Sequence, residues 1–134
     1  MHTLEALREY FSNDRFSTGA GAQIVEVGDG SALCKMELSS EHCNSRGTPM
    51  GGAIFTLADF ASAVAANCDA TDSHVISLHA DITYLGTAKG KCLYAAARRV
   101  KHGHTATLYT VEVTDELGTQ VAAMSMNGIV VPAK

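Results

Sequence analysis

Asp59 is the one charged residue within a run of helix-forming, mostly apolar residues from Ala53 to Cys68. A carboxylate in apolar surroundings is costly, so it becomes neutral or finds partners. The ordinary explanation is that Asp59 reaches an interface and is satisfied there by an amide or a hydroxyl. The chemical explanation is that Asp59 acts as a nucleophile or as a general base.

Gly51 and Gly52 directly precede this run and are predicted to open its helix, with Thr48 as the N-cap and Pro49 as the first helical residue. The first amides of a helix lack internal acceptors and lie at the positive end of its dipole. Glycine lets a ligand oxygen approach such amides closely. The pair is therefore a candidate oxyanion site, in which the loss of one donor costs roughly 3–4 kcal/mol, although ordinary turns also contain Gly-Gly.

The spacing of these groups predicts a second copy of the chain. Asp59 follows Gly51 by eight residues, which is about 12 Å along a helix axis. Because that is too far for both to act on one carbonyl from one helix, a shared site needs a second helix running antiparallel to the first. We expect a homodimer with two equivalent sites, each with the glycine amide of one subunit and the carboxylate of the other.

The residues around this helix resemble a family signature. Asn44, Gly47, Met50-Gly51-Gly52, Leu57-Ala58-Asp59 and Asn67 are similar to the pattern N-x-x-G-x-x-H-G-G-x-x-x-x-L-A-D-x-A-x-x-x-A-x-N of the PaaI-type hotdog-fold acyl-CoA thioesterases. The resemblance covers about residues 20 to 131. It continues through Ser77, Ile82-Thr83-Tyr84-Leu85, Gly90, Gly103, the strand from Tyr109 to Val113, and Gly118-Thr119-Gln120-Val121-Ala122.

This resemblance implies a role for several residues. Asp59 would attack the thioester or activate a water, the Gly51 amide would polarise the carbonyl, Asn44 would orient the water or the carbonyl, and Ser77 would help to hold the water. Met50 departs from the pattern, since the family usually has His there and methionine cannot donate a hydrogen bond. The family fold is an antiparallel sheet wrapped around one long central helix.

Further residues are predicted to contact the substrate, namely Met50, Gly52, Ser62, Arg98, Arg99, Lys101 and His102. The last four form the densest basic cluster, at the end of a predicted strand and its turn. They are either a solvated hairpin end or a grip on the phosphates of coenzyme A. Strand alternation sends Arg98 and Arg99 to opposite faces, so only part of the cluster can serve one ligand.

Hydrophobic spacing predicts one α+β domain over residues 1–134, with an N-terminal helix and lead-in over 1–17. Alternation predicts a hairpin turning at Gly28-Asp29-Gly30 and four later strands over 74–85, 91–100, 105–114 and 119–131. A hairpin, a long helix and a meander form a sheet that can curl around one helix. This arrangement agrees with the hotdog fold that the resemblance implies.

Composition and residue spacing indicate which classes of partner and ligand to expect. A net charge of −4 and a pI near 5.8 argue against a nucleic-acid binder. No run of 18 apolar residues occurs, and the N-terminus lacks the apolar core of a secretory signal, so we expect a cytoplasmic protein without a membrane span. The cysteines and histidines show no zinc-type spacing, and no metal site is predicted. Cys43, beside Asn44, lacks an evident histidine partner for a nucleophilic role.

The sequence thus predicts an acyl-CoA thioesterase that releases a free acid and coenzyme A without a metal or redox cofactor. We expect the protein to form a homodimer, or a dimer of dimers. Direct attack by Asp59 and attack by an activated water are both compatible with these residues. Two alternatives stay open: a protein that binds acyl-CoA without hydrolysing it, which Met50 motivates, and an acyl-thioester hydratase or dehydratase, which commonly needs a histidine beside its carboxylate.

Overall fold

Helix α3 (Gly51–Asn67) is enclosed by a curved sheet in the computed structural model, which describes residues 2–133. The remaining helices are α1 (Leu4–Phe11) and α2 (Arg15–Gly19), and a short 3-10 turn spans Ser40–His42. The strands are β1 (Gln23–Gly28), β2 (Ser31–Glu37), β3 (Ser73–Tyr84), β4 (Cys92–His102), β5 (Ala106–Asp115) and β6 (Gln120–Pro132).

The sheet is antiparallel throughout, with strand order β1-β2-β4-β5-β6-β3. Alternate residues of the central strands are buried against α3 because successive side chains of a strand point to opposite faces. The helix contributes mostly small side chains at this contact, such as Ala58, Ala61 and Ala65. Small residues let the helix axis lie close to the sheet. The antiparallel sheet around one long helix confirms the predicted α+β hotdog architecture.

The N-terminal helix closes one side of this core, as predicted. The Thr3 side chain accepts a hydrogen bond from the Ala6 amide, which caps α1. Leu7 and Phe11 are buried, and the Phe11 ring packs edge-on against Phe60 of α3 at a centroid distance of 5.9 Å. The short helix α2, which was predicted only as lead-in, follows and packs against α3.

The predicted start of the central helix is wrong by two residues. Met50, in extended conformation, occupies the N-cap position and Gly51 is the first helical residue. Thr48 lies two residues before this position, in the loop, where its amide and hydroxyl both donate to the Asn44 side chain. Pro49 instead forms an isolated bridge with Cys43. The loop therefore ends later than the sequence pattern indicated.

Strand β3 forms one edge of the sheet and pairs only with β6 among the strands of residues 2–133. It is twelve residues long, and its Ile76 and Leu78 side chains are 46% and 65% exposed. A long edge strand with exposed apolar side chains is prone to pair with another chain. This edge is therefore open to pairing within the described residues.

Candidate active site

The first turn of α3 presents two backbone amides without acceptors. The Met50 carbonyl accepts hydrogen bonds from the amides of Ala53 at 3.0 Å and Ile54 at 3.2 Å. The N–H groups of Gly51 and Gly52 have no acceptor within residues 2–133, and no side chain caps the helix. They lie at the positive end of the helix dipole, where a negative oxygen binds favourably.

The loop before α3 is held by Asn44. Its Oδ1 accepts hydrogen bonds from the Arg46 amide at 2.9 Å and from the Thr48 amide and hydroxyl at 3.2 Å each. The Gly47 amide donates to the Asn44 carbonyl, and Gly47 has a φ of +79°, a conformation that favours glycine. Since three donors already use Oδ1, only the Nδ2 group of Asn44 is left for a ligand.

Asp59 is half-buried near the middle of α3. Its carboxylate makes no hydrogen bond to another group in the described part of the chain. Burial raises the pKa of Asp59, and the negative charge of Asp14 raises it further. The result is a partly desolvated carboxylate with a raised pKa and no hydrogen-bond partner in the described residues, a combination typical of a catalytic acid or base.

One chain does not bring the predicted catalytic residues together. Gly51 and Asp59 are separated by eight residues of the same helix, about 12 Å along its axis. Ser77 is exposed on β3 opposite Gly128, on the side of the sheet that faces α3. Within residues 2–133 no hydrogen bond joins the Asp59 carboxylate to Asn44, Gly51 or Ser77.

Tyr84, at the end of β3, contacts the start of α3 and was not predicted as a site residue. Its hydroxyl donates a hydrogen bond of 2.9 Å to the Gly51 carbonyl. A Cβ atom on Gly51 would lie 3.0 Å from Tyr84 Cζ, so only glycine fits without displacing the ring. A groove of about 350 Å³ adjoins this contact and is lined by residues that include Ile54, Leu85 and Ala88.

The predicted substrate-contacting residues beside the helix differ in their accessibility. Met50 is 51% exposed and Gly52 is exposed, so both can meet a ligand at the start of α3. Ser62 is only 1% exposed, and its hydroxyl donates to the Asp59 carbonyl at 2.8 Å. Ser62 is therefore less accessible than Met50 and Gly52, and its contact with the substrate stays a prediction.

The basic cluster at the end of β4 is divided between the two faces of the sheet. A β-bulge lies between Arg99 and Lys101. The resulting register places Arg99 opposite Tyr109 and His102 opposite Thr107, on the face toward α3, and places Arg98 opposite Thr110 and Lys101 opposite Leu108, on the other face. Arg98 and Arg99 thus lie on opposite faces, as predicted.

The two inward-facing members of the cluster already have partners. Arg99 forms an ion pair with Asp29 at 3.4 Å, and His102 Nδ1 is 2.7 Å from the Tyr109 hydroxyl. Together with Asn67 they line a cavity of about 390 Å³ at the C-terminal end of α3. This cavity is at the opposite end of the helix from the free glycine amides.

No helix in the described residues is both long enough and apolar enough to cross a membrane. Across residues 2–133, no three His, Cys, Asp or Glu side chains are grouped so that they could hold a metal ion.

Comparison with known proteins agrees with the fold and with the sequence around the helix. Residues 11–130 match the family described as Domain of unknown function (DUF4442). A putative esterase of Archaeoglobus fulgidus is 32% identical over 124 residues, which cover 89% of this chain and 77% of that protein. Human acyl-coenzyme A thioesterase 13 is 32% identical over 94 residues, which cover 69% of this chain and 67% of that protein.

The solved structure of the Escherichia coli PaaI protein from the phenylacetic acid degradation operon superposes with a TM-score of 0.84 at 21% identity, over 96% of each chain. Fold and sequence together define a PaaI-like hotdog-fold thioesterase, an enzyme of the thioester hydrolase class. The chain belongs to the DUF4442 family, whose model spans both the loop of Asn44 and the whole of α3.

Proposed function

We propose that this protein hydrolyses an acyl- or aryl-acyl-CoA to the free acid and coenzyme A, at sites shared by two copies of the chain. The observation that carries the proposal is the pair of unpartnered groups on α3: glycine amides at its positive end and a desolvated Asp59 carboxylate at its middle. A thioester carbonyl needs a donor for its oxygen and a base or nucleophile for its carbon. The relatives named as acyl-CoA thioesterases support the substrate class.

The two groups meet when a second α3 lies antiparallel to the first. A twofold axis then sets Gly51 of one copy beside Asp59 of the other and generates two equivalent sites. The open edge of β3, with its exposed Ile76 and Leu78, supports this arrangement because a second β3 would cover it. Association of two such dimers stays a further prediction.

In the proposed reaction the carbonyl oxygen accepts a hydrogen bond from the Gly51 amide. The ionised Asp59 then either attacks the carbonyl carbon or removes a proton from a water that attacks it. The carbon–sulfur bond breaks, and coenzyme A leaves as the thiolate and is protonated. In the first route, water then hydrolyses the acyl-aspartyl anhydride. The Nδ2 group of Asn44 and the Ser77 hydroxyl are proposed to orient the water or the carbonyl, with no metal or redox cofactor.

For the coenzyme A phosphates we propose Arg98 and Lys101. These two side chains lie on the same face of the sheet, and neither forms an ion pair with the described residues, whereas Arg99 is held by Asp29. An arginine fork binds phosphate oxygens well. The assignment leaves Arg99 and His102 on the face toward α3, where they line the cavity at the C-terminal end of that helix.

Met50 favours one rival, a protein that binds acyl-CoA without turnover. It stands at the N-cap, is half exposed, and has no side-chain bond to the helix amides. The deciding experiment incubates the purified protein with a panel of short, medium, long and aromatic acyl-CoAs and follows released thiol with a chromogenic reagent. Turnover that disappears in Asp59→Asn supports the enzyme. Saturable binding with no thiol release from any substrate supports the rival.

A further inference from the structure

The hydrogen bond between Tyr84 and Gly51 acts on a particular amide. A peptide unit is planar, so the carbonyl of Gly51 and the N–H of Gly52 belong to the same rigid group. The Tyr84 hydroxyl donates to this carbonyl at 2.9 Å. Whatever fixes the Gly51 oxygen therefore fixes the direction of the Gly52 N–H, which has no acceptor within residues 2–133.

The Gly51 N–H is held differently. It belongs to the peptide whose carbonyl is that of Met50, and this carbonyl is bonded by the Ala53 and Ile54 amides. The first free amide is thus oriented by the helix itself. The second is additionally oriented by a side chain from a strand.

Tyr84 is well placed to hold this peptide still. It lies opposite Ala122 in the pairing of β3 with β6, and the next amide, that of Leu85, donates to the Val121 carbonyl at 2.8 Å. The ring also packs on Gly51, where an added Cβ atom would lie 3.0 Å from Cζ and 3.1 Å from the hydroxyl oxygen. A half-exposed tyrosine hydroxyl that could bond water instead bonds the backbone.

The Gly52 amide is open to a ligand. Gly52 is exposed, and a Cβ atom there would meet only the Met50 side chain, at 3.8 Å from its sulfur. A donor to the carbonyl of a peptide also polarises its N–H, because linked hydrogen bonds strengthen one another.

We infer that Tyr84 is a positioning residue that orients and polarises the Gly52 N–H as a second donor to the thioester oxygen, beside the Gly51 N–H. The inference rests on the proposed thioesterase function. It adds the Gly52 N–H as a donor and Tyr84, at the end of β3, as the residue that orients this donor.

The test compares Tyr84→Phe, which removes only the hydroxyl, with the matched control Tyr10→Phe. The Tyr10 hydroxyl lies on the exposed side of α1 and makes no hydrogen bond to the described residues. Thiol release is measured under steady-state conditions. We expect Tyr84→Phe to lower kcat roughly 2- to 10-fold, the range for one net hydrogen bond, with KM and oligomeric state unchanged. Tyr10→Phe should match the unmodified protein.

A second measurement does not depend on turnover. Amide resonances of Gly51 and Gly52 are assigned in isotope-labelled protein by nuclear magnetic resonance, and the two variants are compared. Loss of the Tyr84 hydroxyl should shift the Gly52 amide proton upfield and leave Gly51 less affected.

The outcomes separate the inference from the proposed function. An unchanged Gly52 resonance in Tyr84→Phe overturns the inference, and so does a shifted resonance with wild-type kcat in an active enzyme. If the unmodified protein hydrolyses no acyl-CoA, the proposed function fails, and with it the catalytic role of Tyr84, whatever the resonances show.

Discussion

Asp14, which precedes α2, lies close enough to Asp59 on α3 for its negative charge to raise the pKa of the Asp59 carboxyl, in addition to the larger effect of burial. The pKa of Asp14 is itself raised by burial. A second acid thus stands beside the candidate catalytic one. It makes Asp59 a stronger base than an isolated carboxylate at the same depth.

Replacing Asp14 by Asn should move the pH profile. If Asp59 must be ionised, kcat falls on the acid side around its pKa, which lies above the usual 3.8. Removing the neighbouring charge lowers that pKa, so the acid limb of the profile should move to lower pH while kcat at neutral pH changes little. The measurement is kcat against pH for both proteins. A limb that stays in place or moves upward would show that Asp14 does not act on Asp59 in this way.

Replacing Asp59 by Asn should abolish hydrolysis without unfolding the protein. A general base or nucleophile accounts for about 10²–10⁴-fold in rate, so kcat should fall by at least about 100-fold. Binding of an acyl-CoA, followed by calorimetry, should persist. The matched control is Asp69→Asn, just after α3, which should keep its activity. An Asp59→Asn protein with normal kcat would remove this residue from the mechanism.

Mixing two inactive variants should restore activity if sites are shared. Gly51→Pro lacks the N–H that is proposed to bind the carbonyl oxygen, at a first helical position where proline is tolerated. Asp59→Asn lacks the carboxylate. A heterodimer of the two contains one site with both defects and one site with both original residues. After subunit exchange, about a quarter of all sites should be intact. Mixtures that stay as inactive as their components, although exchange is demonstrated, would contradict the two-chain site.

The double variant Arg98→Ala with Lys101→Ala should raise KM for an acyl-CoA and leave kcat nearly unchanged. The reason is that both side chains are proposed to contact phosphates far from the reacting carbon. A thioester of the same acyl group without the nucleotide should show no change in KM. Arg99→Ala, which removes the ion pair to Asp29 on the other face, is the comparison, and a larger rise in KM there would reverse the assignment.

Asp115 should control stability at low pH. Its carboxylate accepts hydrogen bonds from the amides of Lys89, Gly90, Leu117 and Thr119. Burial raises the pKa of this carboxyl, but the amide donors outweigh burial and hold it well below its usual range.

The ionised form is therefore favoured by folding, so its stabilisation is present above the pKa of the unfolded chain and is lost as the pH falls through the lower, folded value. Asp115→Asn should lower Tm at neutral pH and flatten the dependence of Tm on acid pH, measured by calorimetry. The exposed Glu112→Gln is the control. Equal acid sensitivity of the original and Asp115→Asn proteins would count against this role.

The periodic parts of the fold could be predicted from sequence because one physical pattern dominated each of them. The run from Ala53 to Cys68 is apolar on nearly every face and became the enclosed helix. Alternation around the Gly28-Asp29-Gly30 turn became the β1–β2 hairpin. Asp59 could also be identified as a candidate site residue, because it is the one charged residue in a helical run that is otherwise suited to burial.

The choice of hydrogen-bond partner by individual side chains, near or distant in the chain, could not be predicted from sequence patterns. Thr48 is a residue type that often caps helices, but here its hydroxyl donates to the Asn44 side chain in the loop, and Met50 occupies the N-cap position. Ser62 is polar by type, yet it bonds the Asp59 carbonyl inside the fold. The bond from Tyr84 to Gly51 joins residues 33 positions apart, and only the register of β3 brings them together.

Tyr84 belongs to the same strand whose outer edge is open. If a second copy pairs along that edge and a thioester oxygen binds at Gly52, both events restrain one rigid strand and one side chain. Thermodynamic linkage is reciprocal, so occupancy of the site would tighten subunit association by the same factor by which association tightens occupancy. The protein concentration, and not only the substrate concentration, would then determine the fraction of the protein that is active.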